Sequence, residues 1–175
     1  MSGLARRALV AALAIGAVLA GSAPAAARTS GAETFSGFIV ASNASGTREV
    51  LRSAVVAKGV FSGIGRVVEI PSLPNDPENV SRDELVFAGG AMHLVTTNLD
   101  STFSIEPRTC IGTFKVKQTQ TIEGGTGRFS QASGAFAGTL TGRGLASRNP
   151  DGSCNADQGP SVELDTFTTS GSLTF

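Results

Sequence analysis

The chain has 175 residues, 14 basic and 14 acidic side chains, one histidine, and neither tryptophan nor tyrosine. Balanced charge without a basic cluster argues against nucleic acid or an anionic membrane as partner. The missing Trp and Tyr remove the stacked amphipathic aromatics on which exported sugar-binding surfaces rely.

Arg6 and Arg7 precede an apolar run from Ala8 to Gly21, and Ala25-Ala26-Ala27 supplies the small residues of a cleavage site. This is the pattern of a cleavable signal helix. The run is short for a bilayer-spanning helix and no second candidate follows, while the weak context of the arginine pair favours the general secretory route over the twin-arginine one. The expectation is a signal peptide over residues 1–27, cut after Ala27, and one mature domain over residues 28–175. That domain is secreted, extracellular or cell-wall associated, without a stable membrane anchor, and long enough to bury a core. Cys110 and Cys154 both fall in it, and in an oxidising compartment they read as a disulfide. The bond closes a loop with a sequence separation of 44, for which chain entropy gives about 4 kcal/mol. The rival reading, a metal or redox site, has one histidine and no C-x-x-C to draw on.

In chain order, Glu33 to Ser42 is β-branched and aromatic, with Phe35 and Ile39 on one side and Phe38 and Val40 on the other, and reads as a first strand. Asn43 to Gly46 is a turn. Glu49 to Ala57 has a period that fits a strand or one short helix, with strand favoured. Val60 to Ile70 is a third strand, whose Gly63 and Gly65 suggest a sharp curve or bulge. Pro71 to Arg82 is the one long polar loop. Glu84 to Ala88 and Ala91 to Thr97 flank Gly89-Gly90 as a tight hairpin. Gly112 to Glu123 is a sixth strand with Phe114 and Val116 opposite Lys115 and Lys117. Gly124 to Ser133 connects it to a glycine-rich seventh, Gly134 to Ser147. If these two strands pair antiparallel, Cys110 and Cys154 arrive at the same open end of their hairpin. Asn149 to Gly152 is a turn, and Val162 to Phe175 is the last strand, with Phe167, Leu173 and Phe175 to bury. Seven or eight antiparallel strands without a convincing mature helix make the chain all-β. A single antiparallel β-barrel of about eight strands is favoured over a sandwich, which would show cleaner alternation on every strand. Such a barrel holds side chains or one small ligand.

Gly124-Gly125-Thr126-Gly127-Arg128-Phe129, followed by Ala132-Ser133-Gly134, resembles the G-G-T-G-[RK]-F-x-x-A-x-G pattern of the allene oxide cyclase and dirigent-like barrels, which recurs in exported bacterial proteins. About eleven residues carry the likeness. It implies an eight-stranded barrel with a central cavity and a homo-oligomer, with the motif on a late connection as a structural element. No active-site residue of those families matches a position here. Read by themselves, the glycines permit positive φ and tight packing, Phe129 is an apolar anchor, and Arg128 is a donor fork for a carboxylate or carbonyl. The motif lacks the G-K-[ST] of a phosphate loop.

His93 lies on an alternating strand and faces either cavity or solvent. It has no recognisable nucleophile beside it, and no G-x-S-x-G occurs. Glu106, Glu123, Glu163 and Asp165 include candidates for a carboxylate pair, although nothing in their spacing forces two together. The acidic loop after Pro71 matches no EF-hand spacing, and Asn43-Ala44-Ser45 and Asn79-Val80-Ser81 are glycosylation sequons. No catalytic residue, metal site or cofactor is assigned. The expected function is a non-catalytic binding or structural barrel holding a small apolar ligand. The alternative is a cyclase or isomerase acting on a lipid-derived or phenolic substrate in the barrel, and a third reading is a partner binder using the Pro71–Arg82 loop.

Overall fold

The computed structural model describes residues 28–43 and 46–175. The expected signal peptide over residues 1–27 and its expected cut, together with Ala44 and Ser45 of the first sequon, lie outside the described residues. Eight strands, β1 (Ser30–Ser42), β2 (Glu49–Gly59), β3 (Gly63–Ile70), β4 (Val80–Phe87), β5 (Gly90–Glu106), β6 (Ile111–Gly125), β7 (Ser133–Leu145) and β8 (Val162–Thr174), pair antiparallel in sequence order. The barrel closes through an antiparallel β1–β8 ladder from Ser30↔Thr174 to Ser42↔Val162. One turn of 3-10 helix, Gly127–Phe129, is the only helical element among the described residues.

The interior is filled by alternate residues, as strand geometry requires. Phe35 and Ile39 of β1, Val55 of β2, Val67 of β3, Leu85 of β4, Leu94 of β5, Ile122 of β6, Phe136 of β7 and Leu173 of β8 share one core. Aromatic rings concentrate at the end bearing the β2–β3, β4–β5 and β6–β7 turns. There Phe61 stands edge-on to Phe87 at 5.0 Å, to Phe129 at 5.3 Å and to Phe175 at 6.2 Å, centroid to centroid, and Phe35 lies 5.2 Å from Phe136. These separations fall in the favourable range for aromatic pairs.

The Gly124–Phe129 stretch builds this plug. The Thr126 backbone N–H donates to Ala91 O at 2.8 Å, Thr126 Oγ1 accepts from Ala91 N–H at 3.0 Å, and Arg128 N–H donates to Gly89 O at 3.0 Å, so the β6–β7 connection is bonded onto the β4–β5 turn. Gly127 has φ +57, and a Cβ there would overlap the Gly89 carbonyl, so the approach is closed to any larger residue. Phe129 thereby turns inward and is fully buried. Arg128 differs from the sequence expectation: its guanidinium lies over the rings of Phe61 and Phe129, at 4.5 and 4.6 Å, in place of a carboxylate or carbonyl. The cation caps the outer side of the aromatic cluster.

Several boundaries differ from the sequence reading. The third strand starts at Gly63, because Val60 to Ser62 form the turn that sends Phe61 into the plug. The Pro71 loop ends at Asn79, since Val80 to Asp83 pair with Leu94 to Thr97. Strand β5 runs to Glu106, nine residues beyond the expected end at Thr97, because an irregularity between Asn98 and Asp100 realigns the chain so that Ser101 to Glu106 pair with Ile111 to Val116. The β2–β3 ladder is short, joining only Val55–Ala57 to Gly63–Gly65. Past it, the Ser53 hydroxyl takes over, donating to Val67 O at 2.7 Å and accepting from Val67 N–H at 3.0 Å. The seam is therefore splayed toward the end opposite the plug.

At that opposite end the sulfurs of Cys110 and Cys154 are joined, 1.99 Å apart, tying the β5–β6 turn to the β7–β8 loop. Arg148 Nη2 adds a hydrogen bond to Arg108 O at 2.5 Å across the same junction.

Phe129→Ala is expected to lower unfolding free energy by about 3–5 kcal/mol, the range for truncating a buried phenylalanine. Phe103→Ala, at a residue 58% exposed, is expected to change it by less than about 1 kcal/mol. Guanidinium unfolding of both variants decides this, and equal effects would show that the plug does not hold the fold.

Candidate functional site

With one end of the barrel plugged, the other is hollow. A cavity of about 420 Å³ opens there, within the size range of small-molecule sites. Its floor and walls are apolar, with Phe35 and Ile39 from β1, Leu85 from β4, Leu94 from β5, Phe114 and Val116 from β6, and Phe167 from β8. Its lining also carries polar side chains: Glu69, Asp83, Thr96, Asn98, Gln118, Gln120, Glu163, Asp165 and Thr169. Strand parity explains the mixture. Val67 and Glu69 share one face of β3, Asp83 and Leu85 one face of β4, and Glu163, Asp165, Phe167 and Thr169 one face of β8.

Glycines on β7 make the room. A Cβ at Gly142 would overlap both the Phe114 ring and Oδ1 of Asp165, and one at Gly138 would press on Thr169. The glycine-rich character of this strand is thus the complement of large and charged side chains on its neighbours.

Arg48, just ahead of β2, reaches over the mouth. Its Nε donates to Glu163 Oε1 at 2.5 Å, Nη2 donates to Asp165 Oδ2 at 3.0 Å, and Nη1 pairs with Glu69. One guanidinium therefore holds β8 to β3 across the splayed seam. Arg82, also at the mouth, is occupied by Asp76, with Nε and Nη2 donating at 2.7 and 3.0 Å. Those bonds, with the Leu73 N–H, hold the Asp76 carboxyl below its usual range.

Two carboxyls are pushed the other way. Burial raises Asp83 to about 6, against a small opposing pull from Arg48. Burial and the neighbouring Glu163 charge raise Asp165 to about 6, against the Arg48 charge and hydrogen bond. Asp83 has no hydrogen-bond or ion-pair partner among the described residues. Three buried polar atoms also have no partner: Asp165 Oδ1, Gln120 Oε1 and Thr169 Oγ1. Gln118 is satisfied, its Nε2 donating to Asn98 Oδ1 at 2.9 Å.

Of the four carboxylates singled out in sequence, the fold brings Glu163 and Asp165 together in the cavity. Glu123 is on the outer face, 3.8 Å from Arg82, and Glu106 is exposed at the β5–β6 turn. His93 faces outward, with Nε2 3.5 Å from Glu84 Oε1. Glu69, Asp83 and Arg48 are not singled out as cavity residues by the sequence, where Asp83 counts only among the acids beside the Pro71 loop. The two acids were within reach of the pattern, each standing two residues from an apolar core position, whereas Arg48 follows a turn and carries no periodic signal. Among the described residues no group of three or more His, Cys, Asp or Glu side chains is arranged to hold a metal ion.

Comparison of the chain with protein-family models, curated proteins and solved structures finds no match.

A carboxyl with a higher pKa in the folded than in the unfolded chain is favoured protonated. Its stabilisation is present below the ordinary value near 4 and is lost as pH rises through about 6. Each group accounts for at most about 3 kcal/mol of this loss. Unfolding free energies between pH 4 and 7 are expected to fall with rising pH, and Asp83→Asn is expected to flatten the slope. An unchanged slope in that variant would rule out the buried, uncompensated carboxyl.

Proposed function

We propose that the protein is an exported binding barrel that holds one small amphipathic molecule in the open cavity, with an apolar body on Phe35, Leu85, Leu94 and Phe167 and a polar group among the carboxylates at the mouth. The observation that carries this reading is the coexistence of a cavity of about 420 Å³ with three buried polar atoms that find no protein partner. Buried polar groups in native proteins are almost always satisfied, and a ligand donor supplies what the chain does not. The purely apolar ligand expected from the sequence suits the floor and leaves the rim unanswered. Export is supported by the leader pattern of residues 1–27 and by the Cys110–Cys154 bond. The likeness of Gly124 to Gly134 to the motif of the allene oxide cyclase and dirigent-like barrels supports a ligand-holding interior, and the outward strip Leu145, Val162 and Leu164 supports a homo-oligomer.

A second reading, a cyclase or isomerase on a lipid-derived or phenolic substrate, is favoured by one observation. Asp83 and Asp165 both titrate near 6 inside the cavity, where a carboxyl can take up and return a proton at neutral pH.

Native mass spectrometry of protein from its exported fraction, before and after denaturation, is expected to release a small molecule and to report the oligomeric state. Protein without adduct that also fails to take up a fluorescent amphiphile would overturn the binding reading. For the enzymatic reading, turnover of a found ligand that survives both Asp83→Asn and Asp165→Asn would exclude acid–base work by these residues.

A further inference from the structure

The charge of the cavity is lopsided. Glu69, Asp83, Glu163 and Asp165 line it, and Arg48 pairs with all of them but Asp83. Arg82 stands at the mouth with its charge matched by Asp76, and no lysine lines the cavity. Arg48 answers Glu69, Glu163 and one oxygen of Asp165, leaving the other oxygen of Asp165 and the carboxyl of Asp83 without a partner.

The unpartnered atoms are all able to accept a hydrogen bond. Asp165, Gln120 and Thr169 are 3%, 7% and 4% exposed, so water in bulk does not answer them. An ammonium is a donor in every direction and offers no lone pair. An alcohol satisfies one such acceptor with its single O–H, and a carboxylate brings only more acceptors and like charge. Around these groups stand Phe35, Phe114 and Phe167, and aromatic faces attract a cation and repel an anion.

We infer that the cavity takes an organic cation, an ammonium carried on a short alkyl or aryl body, whose N–H groups bond Asp83 and whose charge answers Asp165 beneath the Arg48 bridge. This rests on the binding reading above and names its ligand class. The cation does not have to displace Arg48, because the acceptors it uses are the ones Arg48 leaves open. The raised carboxyls of Asp83 and Asp165 agree with it, since burial costs each charge more than Arg48 returns.

The test is titration calorimetry of the purified protein near neutral pH with three probes of one chain length: octylammonium, octan-1-ol and octanoate. Octylammonium is expected to bind at least about tenfold more tightly than octan-1-ol, equivalent to about 1.4 kcal/mol, with octanoate the weakest. In Asp165→Asn and in Asp83→Asn the ratio of ammonium to alcohol affinity is expected to fall about tenfold. Because a ratio is read, a general loosening of either variant does not mimic the effect. Octanoate binding as tightly as octylammonium, or a ratio unchanged in both variants, would overturn the cation assignment while leaving the amphiphile-binding reading intact. No binding by any of the three would overturn both.

Discussion

An eight-stranded barrel turns every second side chain inward, and that interior has to be filled or it collapses. Here the requirement is met unevenly. Phe35, Phe61, Phe87, Phe129, Phe136 and Phe175 stack at one end, and Phe129 reaches its place only because Thr126 and Arg128 bond the β6–β7 connection to the β4–β5 turn. A strand slipped by one residue would put its inward rings in water. The aromatic end therefore fixes the register of the ladders, and the same registers carry Glu69, Asp83, Glu163 and Asp165 into the hollow end. The site is placed by packing that it meets at Phe35.

The two ends obey opposite rules. At the plug, shape complementarity decides, and a positive charge is tolerated because Arg128 lies flat on aromatic faces in place of seeking a carboxylate. At the mouth, electrostatics decide. Arg48 ties three carboxylates on two strands across a seam whose backbone ladder has run out, so a side-chain network does there what hydrogen bonds do elsewhere in the sheet. Ser53 extends the ladder by one step with its hydroxyl. The disulfide at the same end fastens the long β5–β6 hairpin to the β7–β8 loop.

How much of this was legible in the sequence depended on what set each feature. The first, sixth and last strands announced themselves, because Phe35 and Ile39, Phe114 and Val116, and Phe167 and Leu173 alternate against polar neighbours. The end of β5 did not, since Leu99 to Glu106 is exposed and takes its strand form from pairing with Ile111 to Val116 after an irregularity at Asn98. The glycines of β7 were visible but their meaning was not. Gly142 is explained by Phe114 and Asp165, residues far from it in sequence. Glu163 and Asp165 were candidates without a reason to meet, and Arg48, which gives them one, sits outside any periodic pattern.

The β1–β8 ladder has a consequence in time. It joins Ser30 to Thr174 and Ser42 to Val162, the most distant partners in the barrel, and contacts of such separation are slow to form because a long loop must close before they are gained. Strand β8 brings Glu163 and Asp165 with it. Until this ladder closes, the sheet is open, with bare edges on β1 and β8, and Arg48 lacks two of its three partners. Closure of the sheet and completion of the carboxylate cluster are one event, so a chain halted short of β8 has neither a sealed edge nor a site.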